Sequence, residues 1–128
     1  MMAGKRVLVV DDEFMVAAML MDTLEDIGAV PIGPASTVAE ALGLVTAHAL
    51  DAAILDWNLN GEAGTPIARS LHERRVPYLI STGYGSVADE FATVPRLTKP
   101  YTPPTLLAEL EKLLRPLPPS FTAQALPR

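Results

Sequence analysis

Hydrophobic and polar positions fall into two alternating patterns along the chain. Short unbroken apolar runs occur at residues 5–10 (KRVLVV), 51–56 (DAAILD) and 77–82 (PYLIST). Runs of this length, bounded by polar or turn residues, predict strands buried on both faces. Between them the period lengthens. Residues 13–27 place Val16, Leu20, Leu24 and Ile27 on one face of a helix, and Gly28 ends it where a left-handed cap costs little. Residues 29–33 (AVPIG) predict a shorter strand, put near a sheet edge by Pro31. Ser36 is placed to cap a second helix whose inner face is Val38, Leu42 and Val45. Residues 57–64 (WNLNGEAG) read as a loop, and 65–75 as a helix carrying Ile67 and Leu71. A glycine-punctuated loop (TGYGS, 82–86) precedes room for only a short helix at 87–92, and 94–98 (VPRLT) form a last strand. Thr102 caps a final helix with Pro103 at its first position and Leu106, Leu107, Leu110, Leu113 and Leu114 along it.

Strand and helix thus alternate five times, the pattern of an α/β protein with a parallel sheet covered on both faces. Right-handed crossovers leave a doubly wound five-stranded sheet as the simplest topology. The expected domain is 1–116. Residues 117–128, rich in proline and without periodicity, read as a flexible tail.

Composition narrows the function. Of 128 residues 49% are apolar, and the mean hydropathy is +0.25, enough for a packed core. There is no cysteine, which excludes disulfides, thiolate metal sites and cysteine nucleophiles. No apolar run reaches the length of a membrane span, and the run behind Lys5 and Arg6 is too short for a signal peptide. The expected location is the cytoplasm, with no membrane partner. A net charge of −5 and a pI near 4.9 argue against nucleic acid as a partner. His48 and His72 lie in helical stretches without metal-ligand spacing.

In doubly wound sheets the site lies beyond the carboxyl ends of the strands. There the first strand ends in Asp11 and Asp12, the third in Asp56, the fourth in Ser81, Thr82 and Gly83, and the fifth in Thr98, Lys99 and Pro100. Each residue type suits phosphoryl transfer to a carboxylate. Carboxylates hold a hard cation such as Mg²⁺. A carboxylate is also a covalent acceptor. A lysine neutralises phosphoryl charge while a hydroxyl hydrogen-bonds its oxygens. The blander readings are a helix cap for Asp11 and Asp12, a turn aspartate for Asp56 and a solvated lysine for Lys99.

The motifs VLVVDDE, AAILDWNLNGEAG, LISTGYG and LTKPY, in this order over residues 5–115, resemble those of a bacterial two-component response-regulator receiver domain of the stand-alone type. The resemblance implies a flavodoxin-like sheet of order 2-1-3-4-5. Carried over residue by residue, it makes Asp56 the phosphoacceptor, with Thr82 as the switch hydroxyl and Lys99 as the phosphate-binding lysine before a cis proline. It implies Mg²⁺, with Mn²⁺ as a substitute, held by Asp11, Asp12, Asp56 and the backbone carbonyl of Asn58. The implied partners are a histidine kinase or histidine phosphotransfer protein as donor and a downstream protein target. Such a chain is no enzyme toward free metabolites and catalyses only its own phosphorylation and dephosphorylation. The alternatives within the family are a receiver fragment of a hybrid histidine kinase or larger regulator, or a phosphate sink in a phosphorelay. A small-substrate aspartyl-phosphate phosphatase is disfavoured because Asn58 cannot act as an acid. A flavodoxin-like cofactor carrier is disfavoured because acids follow the first strand where a phosphate loop is needed.

The sequence also departs from the family. Arg96 stands three places before the lysine, where many receivers carry a switch aromatic. Gly83 replaces a common alanine, and the short stretch to Lys99 implies a fourth helix that is short or mobile. Readout then falls to the loop with Tyr84, and the expected state is a monomer or weak dimer. Trp57 is expected to pack, and Met15 and Met19 form a second apolar stripe suited to a partner.

Overall fold

The three unbroken apolar runs form the centre of a parallel sheet. In the computed structural model, residues 2–83, 91 and 93–114 are described. The elements run β1 (Arg6–Val10), α1 (Phe14–Asp26), β2 (Val30–Ala35), α2 (Val38–Ala47), β3 (Ala52–Asp56), β4 (Asn58–Leu59), β5 (Glu62–Ala63), α3 (Thr65–Glu73), β6 (Tyr78–Thr82), β7 (Arg96–Thr98) and α4 (Pro103–Leu114). The main sheet has five parallel strands in the order β2-β1-β3-β6-β7. In terms of its own strands this is the expected 2-1-3-4-5. The expected loop 82–86, short helix 87–92 and tail 117–128 fall mainly or wholly outside the described residues.

The sheet carries a core on each face, as strands buried on both sides require. Leu8, Val10, Leu55 and Ile80 pack with Val45 of α2 and Ile67 and Leu71 of α3. Val7, Val9, Ile54 and Leu79 pack with Leu20 and Leu24 of α1 and Leu106 and Leu110 of α4. Trp57 is buried and meets Phe91 edge to face, with ring centroids 5.3 Å apart. No described helix is long and apolar enough to cross a membrane.

Several boundaries differ from the sequence reading for physical reasons. The second strand runs past residue 33 to Ala35 through a register irregularity against β1. Gly33 makes this possible. Its φ is +112°, and a Cβ there would stand 2.9 Å from the Val9 carbonyl oxygen. The cap of α2 is Thr37, not Ser36: Thr37 Oγ1 accepts the Glu40 N–H at 3.1 Å. Ser36 instead donates both N–H and Oγ–H to Glu40 Oε1 at 2.9 Å. The supposed loop 57–64 contains the β4-β5 hairpin, turned by Asn60 and Gly61, whose φ values are 54° and 91°. Two positive φ values are what a two-residue type I′ turn needs. On α1 the core residues are Ala17, Leu20 and Leu24, with Val16 partly buried. Met19 is packed against the core, so the exposed apolar residues are Phe14 and Met15 rather than Met15 and Met19.

Candidate functional site

The order of the strands places the switch point between β1 and β3, where Asp11 directly follows β1 and Asp56 ends β3. Main-chain bonds lock the strand ends together. Asp11 N–H donates to Ala35 O at 2.9 Å, Trp57 N–H to Ser81 O at 3.0 Å and Lys99 N–H to Thr82 O at 2.9 Å. The Lys99–Pro100 bond is cis, as the resemblance implied. Asp12, Glu13, Asp56, Asn58, Asn60, Gly61, Thr82, Gly83 and Lys99 line a cleft of about 360 Å³.

Asp11 is buried and splits its carboxylate between two tasks. Oδ1 accepts the Glu13 N–H at 2.9 Å, a local turn rather than a helix cap, because Glu13 is itself the N-cap of α1, which has no side-chain cap bond. Oδ2 has no hydrogen-bond partner among the described residues and lies 3.3 Å from Lys99 Nζ. Asp12, less buried, accepts the Asn60 N–H at 2.9 Å, so the hairpin turn positions it. Asp56 is buried, accepts the Asn58 N–H at 3.3 Å and lies 3.4 Å from Lys99 Nζ. One carboxylate oxygen from each of Asp11, Asp12 and Asp56 falls within a 4.8 Å group.

These groups are electrostatically unsettled. Burial, then the charge of Asp11, pushes the Asp56 carboxyl up to about 7, against the pull of Lys99. Burial likewise raises Asp11, while the Glu13 N–H and Lys99 act the other way. Burial disfavours the charge on Lys99, but the hydrogen bond to Glu13 and the attraction of Asp11 and Asp56 outweigh it and hold the ammonium above its ordinary range. Three carboxylates with an unpartnered buried oxygen and an oxygen-only donor set fit a hard divalent cation such as Mg²⁺.

All six residues singled out from sequence come to this edge. Asp11, Asp12, Asp56 and Lys99 converge, Thr82 lines the cleft at the last position of β6, and Asn58 opens the hairpin with Oδ1 accepting the Gly61 N–H at 2.8 Å. Two contributors were missed. The Asn-Gly pair at 60–61 is a strong hairpin signal, and its hairpin supplies the donor to Asp12. Glu13 enters the sequence pattern only as the start of the first helix, yet its Oε1 lies 2.9 Å from Lys99 Nζ. That contact crosses most of the chain and leaves no local signal.

The chain belongs to the response regulator receiver domain family, whose model matches residues 7–111. Among solved structures it is similar to SdrG from Sphingomonas melonis Fr1, with 42% identity over 90% of this chain and 100% of that one and a TM-score of 0.79. The BeF3-activated conformation of SdrG matches at 41% identity over the same shares, with a TM-score of 0.75. Among curated proteins the transcriptional regulatory protein TcrA of Mycobacterium tuberculosis is 34% identical over 94% of this chain and 52% of its own length. The phosphate regulon transcriptional regulatory protein PhoB of Pseudomonas aeruginosa is 30% identical over 89% of this chain and 53% of its own. The chain therefore spans about half the length of the curated relatives it matches.

Proposed function

We propose that the chain accepts a phosphoryl group on Asp56 from a phosphohistidine of a histidine kinase or histidine phosphotransfer protein, in a Mg²⁺-dependent reaction. The product switches protein–protein contacts in two-component signalling. The observation that carries this reading is the setting of Asp56. It is a buried carboxylate at a strand end, 3.4 Å from a lysine ammonium and grouped with two further aspartates. The beryllofluoride-activated form of its relative SdrG supports the same reading.

In the transfer an Asp56 oxygen bonds to phosphorus. The P–N bond breaks, and its electron pair leaves with the donor imidazole. Asp11, Asp12 and Asp56, whose oxygens gather at this edge, and the Asn58 carbonyl would hold the metal. When bound, Mg²⁺ supplies charge neutralisation at the phosphoryl oxygens. Lys99 donates to one phosphoryl oxygen and the Thr82 hydroxyl to another, which draws Thr82 toward the acceptor. Hydrolysis replaces the Asp56–phosphorus bond with a bond to water oxygen and returns the carboxylate. The chain thus acts only on its own phosphorylation state.

The test is incubation with acetyl phosphate and Mg²⁺, or with a phosphorylated kinase. The chain gains one acid-stable, base-labile phosphoryl group, and Asp56→Asn gains none. Label on Asp56→Asn at the wild-type level overturns the assignment.

A further inference from the structure

The residue closest to Lys99 Nζ among its three acidic neighbours is neither the phosphoacceptor nor a member of the aspartate group. Glu13 Oε1 lies at 2.9 Å and is hydrogen-bonded, whereas Asp11 Oδ2 and Asp56 Oδ2 lie at 3.3 and 3.4 Å. The Glu13 side chain is 61% exposed, while those of Asp11 and Asp56 are 1% and 6% exposed. Lys99 itself is 17% exposed. Its ammonium is thus drawn toward the mouth of the cleft, where Glu13 also forms part of the wall. The Glu13 main chain is fixed beside the site, because its N–H is bonded to Asp11 Oδ1 at 2.9 Å and the residue sits at the N-cap of α1.

We infer that Glu13 is a positioning residue that competes with the phosphoryl group for Lys99 and so sets how strongly the phosphorylated state is favoured. This rests on the reading of Asp56 as phosphoacceptor. An ammonium has three donors, and in the resting chain three acids, Glu13, Asp11 and Asp56, already face them. In the resting chain Glu13 takes its best-formed bond. Once Asp56 carries a phosphoryl group, the dianionic oxygens need that ammonium, and a carboxylate at the mouth also repels them. Charge-assisted bonds to phosphate are stronger than an exposed ion pair, so Lys99 changes partner, but the bond to Glu13 is forfeited. Glu13 therefore favours the unphosphorylated state through Lys99 without touching the acceptor or the metal.

Beryllofluoride titration at saturating Mg²⁺, followed by Trp57 fluorescence, tests this in the full chain. Glu13→Gln removes the charge and keeps the shape. Glu13→Asp keeps the charge but draws it back by one carbon–carbon bond, out of reach of Lys99. Both tighten beryllofluoride binding, by about two- to fivefold, the range of an exposed ion pair. Neither tightens Mg²⁺ binding without beryllofluoride, since Glu13 is not a ligand. A purely structural role would move both affinities together. If Gln tightens binding and Asp does not, the effect is general charge repulsion and the inference falls. If both variants match or weaken wild type while Asp56→Asn abolishes binding, the inference falls alone. If wild type takes no beryllofluoride, or Asp56→Asn takes it equally, the reading of Asp56 falls with it.

Discussion

Strands β1 and β3 carry charged residues at both ends, and the two ends are built on opposite terms. At the amino ends, Arg6 and Asp51 are paired. Arg6 N–H donates to Asp51 Oδ2 at 2.8 Å, and Asp51 N–H returns a bond to Arg6 O at 2.8 Å. The guanidinium donates to Ala49 O at 2.8 Å and lies 3.2 Å from His48 Nδ1 at the C-cap of α2. At the carboxyl ends, Asp11 and Asp56 face each other across one lysine, with Asp11 Oδ2 left without a hydrogen bond. The first cluster closes the strand ladder. The second leaves like charges together in a buried place, an arrangement that raises carboxyl pKa values and invites a cation or a phosphoryl group. The same two strands are thus settled at one end and poised at the other.

The largest expected difference comes from Asp56→Asn. Phosphorylation is abolished, yet without Mg²⁺ the variant is more stable than wild type at pH 8. Asn retains an acceptor for the Asn58 N–H while removing a carboxylate that burial and Asp11 oppose. With each pH unit worth about 1.4 kcal/mol, the gain reaches up to a few kcal/mol. Chemical denaturation measures it, and a variant less stable than wild type at pH 8 contradicts the poised picture.

The pH dependence has a definite sign. The Asp56 carboxyl lies at about 7 in the fold against an ordinary value of 3.8, so the folded chain binds this proton more tightly than the unfolded chain. Stability without metal therefore falls as pH rises from about 4 through about 7, and the cost is fully present above that window. Asp11 adds in the same direction. Mg²⁺ competes with the proton, so the rise in Tm on adding Mg²⁺ is larger at pH 8 than at pH 5.5. In Asp56→Asn this pH dependence is much reduced. An equal Mg²⁺ shift at both pH values in wild type contradicts the assignment.

At the settled end the outcome reverses. Asp51→Ala leaves the Arg6 N–H without its side-chain acceptor and lowers stability by about 1–3 kcal/mol, the cost of an unmade bond at a partly buried donor. Phosphorylation of Asp56 and the Mg²⁺ response stay at wild-type levels. Loss of phosphorylation in a folded Asp51→Ala chain would show that the two ends are coupled through the strands.

How legible each end was follows from the range of its contacts. The unbroken runs VLVV and AAILD gave the central strands directly, and Pro31 correctly placed β2 at an edge. Asp11, Asp12, Asp56 and Lys99 were legible because they end strands, and the topology rule turns that position into proximity. The hairpin of β4 and β5 was written in Asn60-Gly61 but hidden by the polar look of its surroundings. Met19 sits off the main apolar face by helical spacing, yet it packs, partly buried, against the cluster that holds Leu20 and Leu24. Glu13 escaped because its partner lies far along the chain, and the Arg6–Asp51 pair because a strand-end acid looks the same whether it is paired or repelled.

The smallest effect distinguishes two neighbouring hydroxyls beside the poised end. Thr37 and Ser36 both follow β2, whose last residue, Ala35, accepts the Asp11 N–H. Only Thr37 satisfies an orphan helix donor, the Glu40 N–H. Ser36 binds the Glu40 carboxylate, which its N–H and hydroxyl hold below the usual range. Thr37→Ala therefore costs about 1 kcal/mol, the typical loss of an N-cap. Ser36→Ala costs less, because its backbone N–H still reaches Glu40 and the lost hydroxyl bond is exposed. Neither change alters the Mg²⁺ response, since the link from Ala35 to Asp11 is main chain to main chain. Denaturation of the two single variants with and without Mg²⁺ checks both points. A larger loss in Ser36→Ala would return the cap to Ser36. An altered Mg²⁺ response in Thr37→Ala would show that the start of α2 helps to hold Asp11 in place.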